Sequence, residues 1–516
     1  MKRTCSISMA AISLLGALPS GCLAAQEVRA GEAKHHHYKL IDIGTFGGSQ
    51  SFVNPGSGNE ANNYTMVLNS EGSVTGWAES PTPDPYPAFC FADCFTVHAF
   101  VWKNGAKIDL GALPGGASSA GNWISSNGLI AGLSQNGEID PLIPGLPEVR
   151  ATLWAHGRII DLGSLPEGGF ESIAAAVNSK GQVVGLATNT IPDPNSMVGS
   201  GFQTRAFIWQ NGGAMQDLGT LGSGTNAQAL LVNERGQVVG WSYLNSAPAG
   251  NCSLVFVTGS FIWDAQNGMR DLGSLGGTCT TASAVNNRGQ VVGFSNVPGD
   301  LSTHGFLWDN GLFQDLGGSL GGDVLGPFAI NEQGEAVGFA LLPGPPATAI
   351  SHAVLWRDIG DLIDLSRPGQ CGFATSINAK TQVVGSFSDC TADSPAHVFL
   401  WEDGSMADLN ALIPPNSPLL LELTETINDR GEIAGTGSDV NGNRHAFLAI
   451  PCDENHRDLE GCDYNLLEGS SAAITQATTP AVTRAARQKS TSSQIQIRMR
   501  SLLARRNRGL ETGVSR

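Results

Sequence analysis

Hydrophobic and polar positions recur along this chain in one short phrase, plainest at residues 285–293 as VNNRGQVVG. An apolar position leads into a polar turn from Asn to Gly, and an apolar run follows that stops at glycine. The phrase returns at 177–185, 232–240 and 330–338, with degenerate copies at 68–76, 124–132, 377–385 and 427–435. Eight copies at intervals of roughly 45–56 residues make a repeat protein, so the fold is read from the period first.

Aligned on the phrase, each repeat holds four strand-like pieces. The first ends at the Asn of the phrase, and the second is its QVVG part. The third carries an aromatic residue and ends in Trp: Trp102, Trp154, Trp209, Trp263, Trp308, Trp356 and Trp401. The fourth ends in Asp-Leu-Gly, beginning at Asp109, Asp161, Asp217, Asp271 and Asp315, while Asp364 and Asp408 keep only Asp-Leu. Between third and fourth stand Asn104-Gly105, Asn211-Gly212, Asn267-Gly268, Asn310-Gly311 and Asp403-Gly404, a strong short-hairpin signal. Four antiparallel strands joined this way form a sheet that cannot cover both its faces alone. A ring of such sheets can, and that is a β-propeller.

The ends of the chain set the phase. The last repeat stops after HAFLAI, before any Asp-Leu-Gly piece, and the first is preceded by an orphan one, KLIDIG at 39–44. The N-terminal piece should therefore complete the last blade and remove an open edge. The expectation is an all-β, eight-bladed propeller over residues 38–451, with seven blades as the alternative.

With the strands lettered a to d, the a–b and c–d turns share one face, and the b–c loops and d–a crossovers share the other. The b–c loops are long in blades one to four, about 20 residues at 78–97, and roughly half that in blades five to eight. Eight cysteines outside the leader fall into local couples: Cys90/Cys94, Cys252/Cys279, Cys371/Cys390 and Cys452/Cys462. Six of them land on the loop-rich face. They read as structural disulfides of an exported chain, and the spacings lack the CxxC form of a zinc site.

Composition sharpens this. Glycine is abundant (66 residues) and charge sparse (15%), which suits short strands and tight turns. The net charge of −17 argues against a nucleic-acid partner. Residues 1–25 read as a signal peptide, with Lys2 and Arg3 before an apolar stretch; a lipoprotein reading through Cys22 is the alternative. No later stretch is long and apolar enough to span a membrane. Residues 26–37 form a short leader, 452–469 a Cys-containing extension, and 470–516 a basic tail expected to be disordered. A basic helix at 493–508 touching an anionic envelope surface is the sharper view of that tail.

Candidate chemistry is thin. Asp109, Asp161, Asp217 and their equivalents recur once per blade, so they should bond backbone at strand ends; the repeated Trp residues should pack blade against blade. His35, His36 and His37 could ligate a metal but sit in a leader expected to be unfolded. Asp439, Asn441 and Asn443 resemble the start of a calcium loop without its closing Glu, which leaves a polar hairpin. Glycine pairs at 115–116 and 276–277 open no helix, so they make no phosphate cradle. No catalytic residue, metal ligand or cofactor is assigned. Glu71, Asp84, Glu138, Asp140, Glu148, Glu167 and Asp193 depart from the repeat and are the acidic residues an enzyme reading would need to converge.

The HAFxW, DLG and INxxGQVVG pieces resemble the extracellular HAF-repeat family, whose triplet stands here at His98–Phe100 and at 445–447, with variants at His304, His352 and His397. The resemblance also takes in HHHY at 35–38. It implies an exported bacterial repeat protein and carries no established activity. The expected function is a monomeric, non-catalytic binding scaffold for an extracellular or envelope protein or glycan. Its contact patch would be residues 85–91, with Tyr86, Phe89 and Phe91. The alternative is a polysaccharide-acting enzyme, a hydrolase or lyase, with a site at the channel mouth.

Overall fold

The computed structural model describes residues 34–53, 66–86, 93–142, 144–248, 256–317, 320–322, 325–344, 350–390, 396–457 and 459–468. Eight four-stranded antiparallel sheets stand side by side in a ring, an eight-bladed β-propeller. Blade 5 shows the plan, with Thr280–Val285, Val291–Asn296, Thr303–Asp309 and Leu312–Asp315 as strands a to d from the channel outward. The c–d turns at Asn104-Gly105, Asn211-Gly212, Asn310-Gly311 and Asp403-Gly404 hold both residues at positive φ, the mirror-image turn that matches strand twist. Asn267-Gly268 departs from this, because Asp264 caps a longer turn there.

Strand a bulges in blades 2 to 8, always opposite the glycine that ends the phrase. In blade 5 the pairing skips Ser283 between Ala282 and Ala284. A Cβ on the opposing Gly293 would lie 2.2 Å from the Thr281 carbonyl oxygen, which explains why that glycine appears in every copy. Blade 1 differs. Its strand a begins as Ser51–Phe52, paired with Ala78 and Trp77, and resumes at Val67, whose carbonyl accepts the Thr75 N–H at 2.9 Å. The break falls where the other blades carry the bulge; residues 54–65 lie outside the described residues. Trp123 of blade 2, beside its own bulge, packs against the cores shared by blades 2–3, 3–4 and 4–5.

Between blades the core is aromatic. Phe100, Phe207, Phe261, Phe306, Phe399 and Phe447 of the c strands are fully buried. Each is worth about 1.5–3 kcal/mol of burial. The Trp residues sit at blade junctions as expected. Trp154 Nε1 donates to the Leu110 carbonyl and Trp356 Nε1 to the Gly317 carbonyl, each at 3.1 Å and each on the preceding blade.

The ring closes twice. Tyr38–Asp42 forms strand d of blade 8 beside Arg444–Pro451, pairing Tyr38 with Pro451 and Asp42 with Phe447. Outside it, Lys34–His36 pairs with Leu466–Glu468, so residues 34–37 are not an unfolded leader. His35 is buried, with Nδ1 2.9 Å from Glu402 of blade 7. The Cys452–Cys462 disulfide holds the extension, and the Cys452 N–H donates to the His37 carbonyl at 2.8 Å. Residues 1–33 and 469–516, and with them the signal-peptide and tail expectations, lie outside the described residues. Among the described residues no helix is long and apolar enough to cross a membrane.

Candidate functional site

The two faces use their polar groups differently. On the turn face, the Asn of the phrase does more than shape a hairpin. Asn286 accepts the Arg288 and Gln290 N–H groups through Oδ1. Its Nδ2 donates to Gln290 Oε1 at 2.8 Å and to the Asn331 carbonyl of the next blade at 3.0 Å. The same link runs 178 to 233, 233 to 286, 331 to 378, 378 to 428, 428 to 69 and 69 to Ser125, all within 2.9–3.2 Å. Only blade 2, with Ser125 in place of Asn, breaks the rule; Asn127 Nδ2 reaches the Ser179 carbonyl instead, at 2.9 Å. A ring of side-chain hydrogen bonds therefore rivets all eight blades around the channel. One position further on, the side chains of Glu234, Asn287, Glu332 and Asp429 each accept a backbone N–H from the preceding blade.

The repeated aspartates and histidines are likewise consumed internally. Asp109, Asp161, Asp217, Asp271, Asp315 and Asp42 each accept the N–H two residues on, at 2.8–2.9 Å. In six blades the aspartate also meets a c-strand side chain: His98 at Asp109, His304 at Asp315, His352 at Asp364, His397 at Asp408 and His445 at Asp42 approach at 2.7–3.0 Å, and Arg205 takes that place at Asp217 in blade 3. The bond to Asp408 raises His397 above the usual imidazole value, and the bond to Asp42 raises His445. These pairs pin strand d to strand c.

The loop-rich face is where the blades differ. The long b–c connections of blades 1 to 4 are mostly not loops. Strands b and c run on as hairpin arms, Val74–Pro83 with Phe95–Lys103, Ile130–Ile139 with Pro147–Ala155, Val183–Pro192 with Phe202–Trp209, and Val238–Pro248 with Phe256–Asp264. Each arm breaks register once and pairs again beyond, at Pro83–Phe95, Ile139–Pro147, Pro192–Phe202 and Pro248–Phe256. Blade 5, by contrast, ends its strand b at Asn296. Four neighbouring arms thus stand on one half of the ring, with Ile139 and Ile191 exposed near their tips.

Asp-Pro closes the first three arms, at Asp84, Asp140 and Asp193, all buried. Each Asp caps the N–H two residues on and donates its own N–H across the tip, to Cys94, Leu146 and Gly201. Each also bonds to the residue just before strand a of the next blade: Asp84 to Ser118, Asp193 to Asn226, and Asp140 to Glu171. Burial raises the Asp84 carboxyl against the pull of its Tyr86 and Ser118 bonds. Glu79, buried in arm 1, is raised by desolvation although four donors from Ser49, Gln50 and Asp93 converge on it.

Of the acidic residues singled out in the sequence, three are therefore arm braces. Glu148 pairs with Arg150 at 2.9 Å, and Glu71 lies on the turn face, paired with Lys103. Glu138 and Glu167 are exposed. The seven do not gather in one cleft. The carboxyl that does meet one of them, Glu171, was missed; its signal was a polar residue before strand a, facing a thrice-repeated Asp-Pro. Also missed was the turn-face cluster in which buried Glu432 meets His456 at 3.3 Å and Arg430 at 3.2 Å. Asp439 accepts from Asn441 and Asn443 as a closed hairpin turn. Among the described residues no three His, Cys, Asp or Glu side chains are grouped to hold a metal.

Cys371 and Cys390 form a disulfide across strands a and b of blade 7, on the loop face. Cys94 and Cys279 are both half-cystines, while Cys90 and Cys252 lie outside the described residues. So do residues 87–91, the larger part of the expected contact patch.

No protein-family model and no curated protein matches the chain. Solved structures do. A puromycin-hydrolysing peptidase of Mycobacterium tuberculosis matches at 15% identity and a TM-score of 0.39, over 76% of this chain and 61% of that one. A puromycin hydrolase matches at 12% identity and 0.38, over 80% and 56%. A putative TolB from Agrobacterium tumefaciens matches at 12% identity and 0.28, over 57% and 94%. This chain spans less than two thirds of the length of either hydrolase.

Proposed function

We propose that this chain is an exported, non-catalytic propeller of the HAF-repeat type that binds an envelope or extracellular protein or glycan. Binding would use the arms of blades 1 to 4. The carrying observation is the arms themselves. Blades 5 to 8 close the same ring without them, so the arms are not needed for the fold, yet the first three are braced to the next blade by buried carboxylates. Rigid hairpins raised on one side of a propeller suit recognition, because little ordering entropy is lost on binding. The disulfides fit an oxidising compartment. The enzyme alternative would draw on Asp140 and Glu171, but their place is held by Asp84 with Ser118 and by Asp193 with Asn226, which supports bracing.

The test is to shorten the arms of blades 1 to 4 to tight hairpin turns and compare retention of envelope proteins and glycans with that of the intact chain. Retention should fall at least tenfold while the melting transition stays cooperative. Equal retention by the shortened protein would sink the reading.

A further inference from the structure

The arm braces build one contact three times, and its chemistry differs once. In blade 1 the Ser118 hydroxyl accepts the Val97 N–H at 3.2 Å and donates to Asp84 Oδ2 at 3.0 Å. In blade 3 the Asn226 carboxamide divides the same work. Its Oδ1 accepts the Thr204 N–H at 2.8 Å and its Nδ2 donates to Asp193 Oδ2 at 2.7 Å. In blade 2 the place belongs to Glu171, which accepts the Val149 N–H and is hydrogen-bonded to Asp140. A hydroxyl and a carboxamide each offer a donor and an acceptor, whereas an ionised carboxylate offers acceptors only. Glu171 can fill the role of Ser118 and Asn226 only if one proton sits between the two carboxyls.

We propose that Asp140 and Glu171 form a one-proton site that latches the blade-2 arm to blade 3 and opens when the proton leaves. Asp140 is 1% exposed and its Oδ1 already accepts the Leu142 N–H at 2.7 Å, while Glu171 is half-buried, so once the proton leaves two carboxylates face each other with water reaching only the Glu171 side. The other charges at hand nearly cancel: Arg150, on strand c, is paired with Glu148 at 2.9 Å. Burial, then the charge and hydrogen bond of Asp140, push Glu171 well above the carboxylate range, while the Val149 N–H and Arg150 pull the other way. A carboxyl raised by folding contributes fully below its unfolded value, and that contribution is lost as pH rises through the folded value. The braces at Ser118 and Asn226 have donors that do not titrate in this range. Of the three braces, only the second loses its donor as pH rises.

Hydrogen exchange on the full chain tests this, with the blade-3 tip at 193–204 as internal reference for the blade-2 tip at 140–149. Above the titration of the pair, protection of the blade-2 tip relative to the reference should fall about tenfold per pH unit, as expected for one proton. Glu171→Gln supplies a permanent donor, as Asn226 does, and should make the ratio independent of pH. Asp140→Asn, which donates to an ionised Glu171, should flatten it too and serves if the first variant does not fold. A flat ratio in the unaltered protein, or variants whose ratio still falls with pH, would overturn the latch.

Discussion

The turn face and the loop face of this propeller are made from the same repeat, and they spend it in opposite ways. On the turn face one residue type makes one set of bonds nearly all the way round, from Asn69 to Asn428 and back. On the loop face the equivalent positions carry arms of different tips, with Ser118, Glu171 or Asn226 as the brace. The difference teaches where to look for function in a repeat protein. A polar group copied into every blade is satisfied by its neighbours and has no bonding capacity left for a ligand. Capacity remains where the copies diverge.

Breaking the uniform face should cost most. Asn286→Ala strands the buried Gln290 N–H, the part-buried Arg288 N–H, the side-chain oxygen of Gln290 and the Asn331 carbonyl. A loss of about 3–4 kcal/mol is expected from buried groups left without partners. Urea unfolding of the variant checks it, and a loss below about 1 kcal/mol would mean the ring is decorative. Next comes the Cys371–Cys390 disulfide of the loop face, whose half-cystines are 19 residues apart in the chain. Replacing both with Ser should cost about 3 kcal/mol on the chain-entropy estimate, read from the same urea transition.

Acidity separates the faces by a smaller amount. His397 and His445 are raised by their Asp bonds, and His456 by Glu432 and Asp453, whose bonds outweigh its burial. Histidines raised by folding contribute fully below the unfolded imidazole value and lose that contribution as pH rises through the folded value. Against its burial, Glu402 is held low by His35 and Gln382, and Asp453 by His456 and Asn455. Those two contribute above the unfolded carboxylate value and lose it as pH falls through the folded one. Stability should therefore peak in mildly acidic solution and decline toward about pH 8.5. A urea midpoint that rises steadily from about pH 6 to 8.5 would contradict this.

The ring, its blade count and its closing strand were legible because they follow from period and phase, and eight copies leave little freedom. The internal roles of Asp109 and its equivalents followed from their recurrence. The Asn ring was not legible: the hairpin role of Asn286 is local, but its bond to Asn331 depends on how blades abut. The arms were hidden because long connections read alike whether they pair or not, and the Pro residues at 83, 192 and 248 argued against strand. Glu171 was hidden for a third reason. Its partner Asp140 is 31 positions away by number, and only the parallel with Ser118 and Asn226 gives it meaning. The histidines at 35–37 looked unfolded because their strand partner, at 466–468, belongs to the far end of the chain.

The last test repairs the uniform face where it is broken. Ser125 is buried and turns its hydroxyl back on its own hairpin, taking the Leu129 N–H at 2.9 Å. The link to blade 3 falls to Asn127, whose bond to Ser179 is exposed to water. Ser125→Asn should reach the Asn178 carbonyl as its counterparts reach theirs. It would still lack one partner, because Leu129 stands where six other blades carry the accepting Gln or Glu. Three bonds in place of four predict a modest gain, about 0.5–1 kcal/mol. The gain also predicts a coupling: in the Ser125→Asn background, where the new carboxamide carries the link, Asn127→Ala should cost less than it does beside Ser125. A double-mutant cycle in urea measures both. If Asn127→Ala costs the same in either background, the rivet at blade 2 has not been restored, and the ring tolerates its gap for reasons other than the missing side chain.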